Sequence, residues 1–290
     1  MVKISSFDAP DGTRLGYVDE GPRDGPLPVL CLPGLTRNHA DFDAVAARLS
    51  PSRRVIRLDS RGRGVSDHAE PATYDLPTET ADAVALLDHL RVERAVFLGT
   101  SRGGMITMLA AVTAPGRIAA AILNDIGPEI DRAGLDRIKA YVGKAPAAST
   151  LDELAASLQA DGRAGAPTLT AADWRRIAGA VAEETPDGVA FKYDLRLGEA
   201  LAAQNAALEK HLAGGGAAPD LWPLFQALAQ VPVLVLRGAN SDILSEETAR
   251  RMAAVSSNVT LVTVPDRAHV PLLDEPECVE AIDALLAKAG

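Results

Sequence analysis

The ten residues Ala95-Val96-Phe97-Leu98-Gly99-Thr100-Ser101-Arg102-Gly103-Gly104 constrain the fold of this chain more than any other segment. The first four are apolar and predict a buried strand, and the apolar run that follows, stopped by Pro115-Gly116, predicts a helix. Side chains two residues before and after Ser101 would collide with that strand and helix, so the pattern Gly-x-Ser-x-Gly has a steric reason. The segment predicts a sharp strand-to-helix turn that presents Ser101 at the end of a sheet.

Short apolar strands alternate with helix-length segments on both sides of this turn. Runs that are apolar throughout are typical of strands buried on both faces. We therefore predict an α/β fold, with a mostly parallel central sheet flanked by helices. The other predicted strands of this sheet cover residues 29–32, 55–58, 119–123, 233–236 and 259–264.

The alternation stops in the middle of the chain. From about residue 128 to residue 218 no strand-like apolar run stands out, and the apolar spacing is helical, ending in the Gly/Ala-rich residues 213–218. We predict a helical cap inserted at residues 128–218, placed as a lid over an α/β core. The core is then built from residues 1–127 and 219–290.

Composition limits the class of partner. Lys and Arg number 29 against 39 Asp and Glu, and the resulting net charge of −10 argues against nucleic acid or an anionic membrane. There is no signal-type apolar stretch and no run long enough to span a bilayer, so we expect a cytoplasmic protein. Cys31 and Cys278 are far apart in sequence and are predicted to be buried free thiols. No metal-ligand spacing, phosphate loop or dinucleotide fingerprint is present, so no metal and no cofactor is predicted.

Ser101 needs a base and an anion, because a serine hydroxyl is a weak nucleophile until its proton is removed. Of the five histidines, His269 follows the predicted strand 259–264, at the end of a sheet where α/β proteins place catalysis. Asp242 follows strand 233–236, and the order Ser, Asp, His favours it as the anion. Asp125, which follows strand 119–123, is the second candidate, with capping of the turn into the insertion as its other role.

A serine of this kind also needs two donors for a developing oxyanion. We expect one to be the backbone N–H of Arg102, at the amino end of the helix, and the other the N–H of Leu35. Gly34 permits the close approach of that loop, and His39 either borders the pocket or caps the helix that starts near Asp41. The Arg102 side chain either attracts a carboxylate-bearing substrate or forms a salt bridge to the insertion.

With these pieces in place, the chain resembles the α/β-hydrolase superfamily over nearly its full length. The matching segments are residues 32–35, 59–66, 99–103, 238–242 and 267–269. The pattern is most similar to the capped subgroup that includes carboxylesterases, enol-lactonases and carbon–carbon bond hydrolases. Many relatives have His-Gly at the oxyanion loop, where this chain has Pro33-Gly34.

The resemblance implies a serine hydrolase that needs no cofactor and acts on a small-molecule ester. The resemblance further implies that Ser101 attacks the ester carbonyl, that His269 transfers the proton and that Asp242 orients the imidazolium. A lactone, or a carbon–carbon bond in a diketone-type acid, would use the same residues, and a ligand-binding protein without catalysis is the alternative from another class. The oligomeric state is not predicted.

Substrate choice is expected to lie in and beside the insertion. Few aromatic residues occur in this chain, and a large share of them falls in that region. Each either lines an acyl or aryl pocket or packs the insertion against the core. These residues are Tyr141, Trp174, Phe191, Tyr193 and Trp222.

Overall fold

Within residues 3–289, which the computed structural model describes, eight strands form one central sheet and two more form a separate hairpin. Met1, Val2 and Gly290, at the outer ends of the two predicted core segments, lie outside the described residues. In chain order the strands are β1 (Ile4–Asp8), β2 (Arg14–Glu20), β3 (Val29–Leu32), β4 (Val55–Leu58), β5 (Ala95–Thr100), β6 (Ile118–Asn124), β7 (Ala182–Thr185), β8 (Gly188–Phe191), β9 (Val233–Gly238) and β10 (Val259–Val264).

The strand order of the sheet is β1-β2-β4-β3-β5-β6-β9-β10. Strand β2 is antiparallel to β1 and β4, and every other pair is parallel. All residues of β3, β4, β5, β6 and β9 are buried, which explains why these strands read as continuous apolar runs. The predicted mostly parallel sheet is confirmed.

Helices cover both faces of the sheet. Along β5, Phe97 packs on one face with residues of α2, α3 and α8, whereas Val96 packs on the other face with residues of α1 and α10. This alternation follows from the two-residue period of a strand. The helices are α1 (Asp43–Leu49), α2 (Leu76–His89), α3 (Arg102–Thr113), α4 (Arg132–Tyr141), α5 (Leu151–Gly162), α6 (Ala171–Val181), α7 (Leu197–Ala213), α8 (Trp222–Leu228), α9 (Glu246–Ala253) and α10 (Pro276–Ala289).

The segment predicted as a helical insertion, residues 128–218, contains helices α4 to α7 and also the β7–β8 hairpin. The segment is therefore mainly helical, and the hairpin is an addition that the sequence did not predict. The hairpin strands are four residues long and mostly exposed or half-buried, so they produce no apolar run. The signal that the sequence does carry is the turn Pro186-Asp187 followed by Gly188, whose φ is 116°. The domain boundaries themselves stay a prediction.

Both cysteines are buried free thiols, as predicted. Burial raises the pKa of the Cys31 thiol in β3 to about 12, so this thiol is protonated and unreactive. None of the helices formed by residues 3–289 has the length and apolarity that crossing a membrane requires.

Candidate active site

Ser101 lies between the last residue of β5 and the first residue of α3. Its φ of 51° and ψ of −114° fall in a region that residues other than glycine rarely adopt. Two hydrogen bonds hold the strained turn: the Ser101 N–H donates to the Asn124 carbonyl at 3.0 Å, and the Gly104 N–H donates to the Ser101 carbonyl at 2.8 Å.

The two glycines of the motif permit this turn. A Cβ atom on Gly99 would lie 2.4 Å from the carbonyl carbon of Gly103, and one on Gly103 would lie 2.0 Å from the Leu32 carbonyl oxygen. Both distances are far inside van der Waals contact, and the atoms that would be struck belong to the backbone. Strand β3, the serine turn and helix α3 can pack together only if both positions lack a side chain.

We expect Gly103→Ala to lower the free energy of unfolding by about 2 kcal/mol or more, because the backbone of β3 or α3 must move to admit the methyl group. Urea denaturation measures this change. Gly116→Ala is the matched control, since a Cβ there meets no atom within 4 Å. Equal stability of the two variants would contradict the steric argument.

His269 lies in the loop after β10 and contacts both Ser101 and a carboxylate. Its Nε2 is 2.9 Å from Ser101 Oγ, and its Nδ1 is 2.7 Å from Asp125 Oδ2. Asp125 is fully buried and accepts two further hydrogen bonds, from the Gly238 N–H at 2.9 Å and from Ser241 Oγ at 2.6 Å. With three donors around it the carboxylate has one fixed orientation, which fixes the imidazole in turn.

The structure corrects the predicted anion. Asp242 does not hydrogen-bond to His269, because its two oxygens accept from Arg137 Nε at 2.6 Å and Arg137 Nη2 at 2.9 Å. This bidentate pair, in the first place through its hydrogen bonds, lowers the pKa of Asp242. Asp125 takes the place beside His269 because β6 lies directly between β5 and β9 in the sheet. Chain order could not decide between the two, since both precede His269.

The loop after β3 lies against the serine, as the oxyanion prediction requires. A Cβ on Gly34 would be 3.7 Å from Ser101 Cβ. Within residues 3–289, the N–H groups of Leu35 and Arg102 have no acceptor, so both are free to bind a ligand oxygen. The Arg37 N–H donates to the Gly34 carbonyl at 3.1 Å, which closes the turn that carries Leu35.

A buried carboxylate, Glu79 of α2, connects the two residues, Leu35 and Arg102, whose N–H groups are the predicted oxyanion donors. It accepts from Arg102 Nε at 2.6 Å and from Arg63 Nη1 at 2.8 Å. Arg63 Nε in turn donates to the Leu35 carbonyl at 2.9 Å. Although burial alone would raise the pKa of Glu79, the two guanidinium groups lower it, so the carboxylate is ionised. Arg102 thus pairs with the core and not with the insertion.

Sequence reasoning did not single out two further polar residues, Asn124 and Asp59. Asn124 Nδ2 donates to Thr100 Oγ1 at 3.2 Å and to the Pro271 carbonyl at 3.0 Å, which connects the His269 loop to β5.

His39 does not cap the helical turn at residues 39–42, whose cap is Asn38. Its Nδ1 instead lies 2.8 Å from the buried Asp59. The only sequence signal for Asn124 and Asp59 was the position of each polar residue, at the end of a strand or directly after one.

The five aromatic residues that were candidates for lining a pocket do not lie together on one surface. Trp174 packs inside the insertion, and Tyr141 is 43% exposed. Phe191 and Tyr193 stack on each other with ring centroids 5.2 Å apart. Trp222 lies on the core, where its Nε1 donates to Glu129 at 2.7 Å. The packing alternative therefore describes Trp222, which connects the core to Glu129 of the insertion, whereas Trp174 packs within the insertion alone.

No cluster of three or more His, Cys, Asp or Glu side chains within residues 3–289 is arranged to hold a metal ion. A family model described as alpha/beta hydrolase fold matches residues 28–276. The sequence is 35% identical over 265 residues to the 3-hydroxybutyrate-oligomer hydrolase of Cupriavidus necator, covering 91% of this chain and 89% of that protein.

A further relative and a solved structure are also hydrolases by name. The 2-(acetamidomethylene)succinate hydrolase of Mesorhizobium japonicum is 28% identical over 245 residues, which cover 84% of this chain and 82% of that protein. The crystal structure of an alpha/beta hydrolase from Novosphingobium aromaticivorans superposes with a TM-score of 0.88 at 43% identity. That match covers 99% of this chain and 98% of the other.

Proposed function

This chain belongs to the alpha/beta hydrolase fold family and is a hydrolase, and from that premise we propose that it cleaves carboxylic esters through an acyl-enzyme on Ser101. The continuous hydrogen-bond chain from Ser101 through His269 to Asp125 is the observation that carries the proposal. A nucleophile, a base and an orienting carboxylate in this arrangement constitute the machinery of acyl transfer.

The first half of the reaction forms the acyl-enzyme. His269 Nε2 takes the proton of Ser101 as Oγ attacks the ester carbonyl carbon, and Asp125 stabilises the resulting imidazolium through Nδ1–H. The carbonyl oxygen becomes an oxyanion, which accepts hydrogen bonds from the N–H groups of Leu35 and Arg102. The amino end of α3 adds a favourable partial charge there. The imidazolium then protonates the leaving alkoxide as the carbon–oxygen bond breaks.

Water completes the cycle. His269 takes a proton from the water as its oxygen attacks the acyl carbonyl, and a second oxyanion forms at the same two donors. Collapse of this intermediate releases the carboxylic acid, and His269 returns its proton to Ser101 Oγ. The residues that we assign to chemistry are therefore Ser101, His269 and Asp125.

The relatives support a small substrate. One is named for hydrolysing 3-hydroxybutyrate oligomers and the other for hydrolysing a substituted succinate. We therefore propose esters of short-chain acids as the substrates. The two buried free thiols support a cytoplasmic location, since such thiols persist in a reducing compartment.

A fluorophosphonate probe with mass mapping, run beside a p-nitrophenyl ester series of increasing chain length, tests the proposal. We expect labelling at Ser101 and turnover of the short esters, with labelling much slower in His269→Ala. Labelling without ester turnover would redirect the proposal to lactones or carbon–carbon bonds. A folded sample that is not labelled would overturn it in favour of a binding protein without catalysis.

A further inference from the structure

Two arginines, one of them the residue that follows Ser101, share a single carboxylate. Arg102 directly follows the serine, and both Arg102 and Arg63 pair with Glu79, so the three groups carry one excess positive charge. By contrast, the buried Arg61 binds two carboxylates, Asp82 and Asp11. Burying a charge without a full counter-charge is costly, which makes this cluster a place where an anion would bind favourably.

The two guanidinium groups also have donors that no group uses. Among residues 3–289, Arg63 Nη2 is buried without a hydrogen-bond partner, and Arg102 Nη1 has none either. The Arg102 side chain is 12% exposed, so it can be reached from the solvent side of the site. Burial, together with the neighbouring Arg102, lowers the pKa of Arg63 against the effect of Glu79. An unsatisfied buried donor is rare, and it is expected to find an acceptor.

The insertion covers this cluster. The Gly64 N–H donates to the Lys192 carbonyl and the Asp194 N–H to the Gly62 carbonyl, both at 2.7 Å. This pairing places Arg63 directly opposite Tyr193. The nearby Asp194 is occupied by Arg196 and by the Tyr74 hydroxyl, so it does not neutralise Arg63. The cluster therefore adjoins Ser101 in the chain through Arg102, contacts the oxyanion loop through Leu35 and pairs with the insertion at Arg63.

We propose that the substrate carries a free carboxylate in addition to its scissile ester, and that Arg102 together with Arg63 binds this carboxylate. The inference rests on the proposed function, because it names the substrate class of the same site. Guanidinium groups bind carboxylates through charge-assisted hydrogen bonds. The matching substrates are half-esters of dicarboxylic acids and short ester oligomers that end in a free acid.

A matched pair of esters tests the proposal. The p-nitrophenyl half-ester of adipic acid has a terminal carboxylate, and p-nitrophenyl 6-methylheptanoate has an isopropyl group of the same shape in its place. We expect the wild-type kcat/KM to be about 10- to 100-fold higher for the adipate ester, the discrimination typical of a hydrogen bond to a charged group. Rates are corrected for uncatalysed cleavage of each ester.

Two substitutions should move this ratio in opposite directions. Arg102→Met removes one cation, and the ratio should fall towards one. Glu79→Gln removes the shared counter-charge, and the ratio should rise, although kcat should fall for both esters because Glu79 also positions Leu35 and Arg102. Arg250→Met removes an exposed charge in α9 and should leave the ratio unchanged.

The outcomes separate this inference from the proposed function. Turnover of the neutral ester at least as fast as the adipate ester, or a ratio that Arg102→Met does not lower, overturns the carboxylate site and leaves the esterase in place. Absence of turnover for both esters, with Ser101 unlabelled by the fluorophosphonate, overturns both. If Arg102→Met fails to fold, inhibition of the wild-type protein by pentanoate decides instead: pentanoate should compete with the neutral ester, and pentanamide should not.

Discussion

Replacing Ser101 by alanine is expected to lower kcat by roughly 10³- to 10⁶-fold on any ester that the protein hydrolyses. The nucleophile is then absent, and only the two N–H donors and substrate binding accelerate attack by water. His269→Ala should cause a loss of similar size, because the base and the nucleophile act as one unit. Steady-state kinetics with the best p-nitrophenyl ester measures both effects.

Ser257→Ala is the control for the serine substitution, since Ser257 is exposed and precedes β10, at the opposite end of that strand from His269. Its kcat should equal that of the wild-type protein. If the Ser101→Ala variant kept more than about 1% of wild-type turnover in a preparation free of contaminating esterase, an acyl-enzyme on this residue would be excluded.

Replacing Asp125 by asparagine is expected to lower kcat by roughly 10³- to 10⁴-fold. The amide has no charge to stabilise the imidazolium, and it favours the tautomer of His269 whose Nε2 already holds a proton. Asp125 also accepts from the Gly238 N–H and Ser241 Oγ, so rates are normalised to the folded fraction from thermal unfolding.

Asp242→Asn is the matched control, with the same change of functional group at the other candidate acid. It breaks only the surface pair with Arg137, and kcat should stay within about tenfold of the wild-type value, because such pairs contribute little. A larger loss for Asp242→Asn than for Asp125→Asn would return the orienting role to Asp242.

Much of the sheet and the serine turn could be predicted because the signals are local. A strand such as β5 is apolar nearly throughout because both of its faces are buried. The glycines around Ser101 are needed because a side chain at either position would clash with nearby backbone. His269 was found for a similar reason, since it closely follows an apolar strand. Local signals of this kind need no knowledge of what lies beside them.

The choice between the two candidate acids could not be predicted, and neither could the ion cluster, since both depend on neighbours in space. Asp125 and Asp242 both follow strands, and only the order β5-β6-β9 decides which carboxylate reaches His269. In the sequence Glu79 is an ordinary polar residue of a predicted helix, and only the fold shows that two arginines donate hydrogen bonds to it. The β7–β8 hairpin was missed because its strands are short and half-exposed.

The distance along the chain between Ser101 and its proposed base has a consequence during synthesis on the ribosome. His269 is made 168 residues after Ser101, which corresponds to roughly 10 to 30 s at ordinary rates of translation. Strand β9 must also pair with β6 across the whole insertion before β10 can bring the histidine to the serine. A growing chain therefore carries Ser101 without its proposed base until residue 269 has been made and β10 has joined the sheet, and we expect no hydrolytic activity before that point.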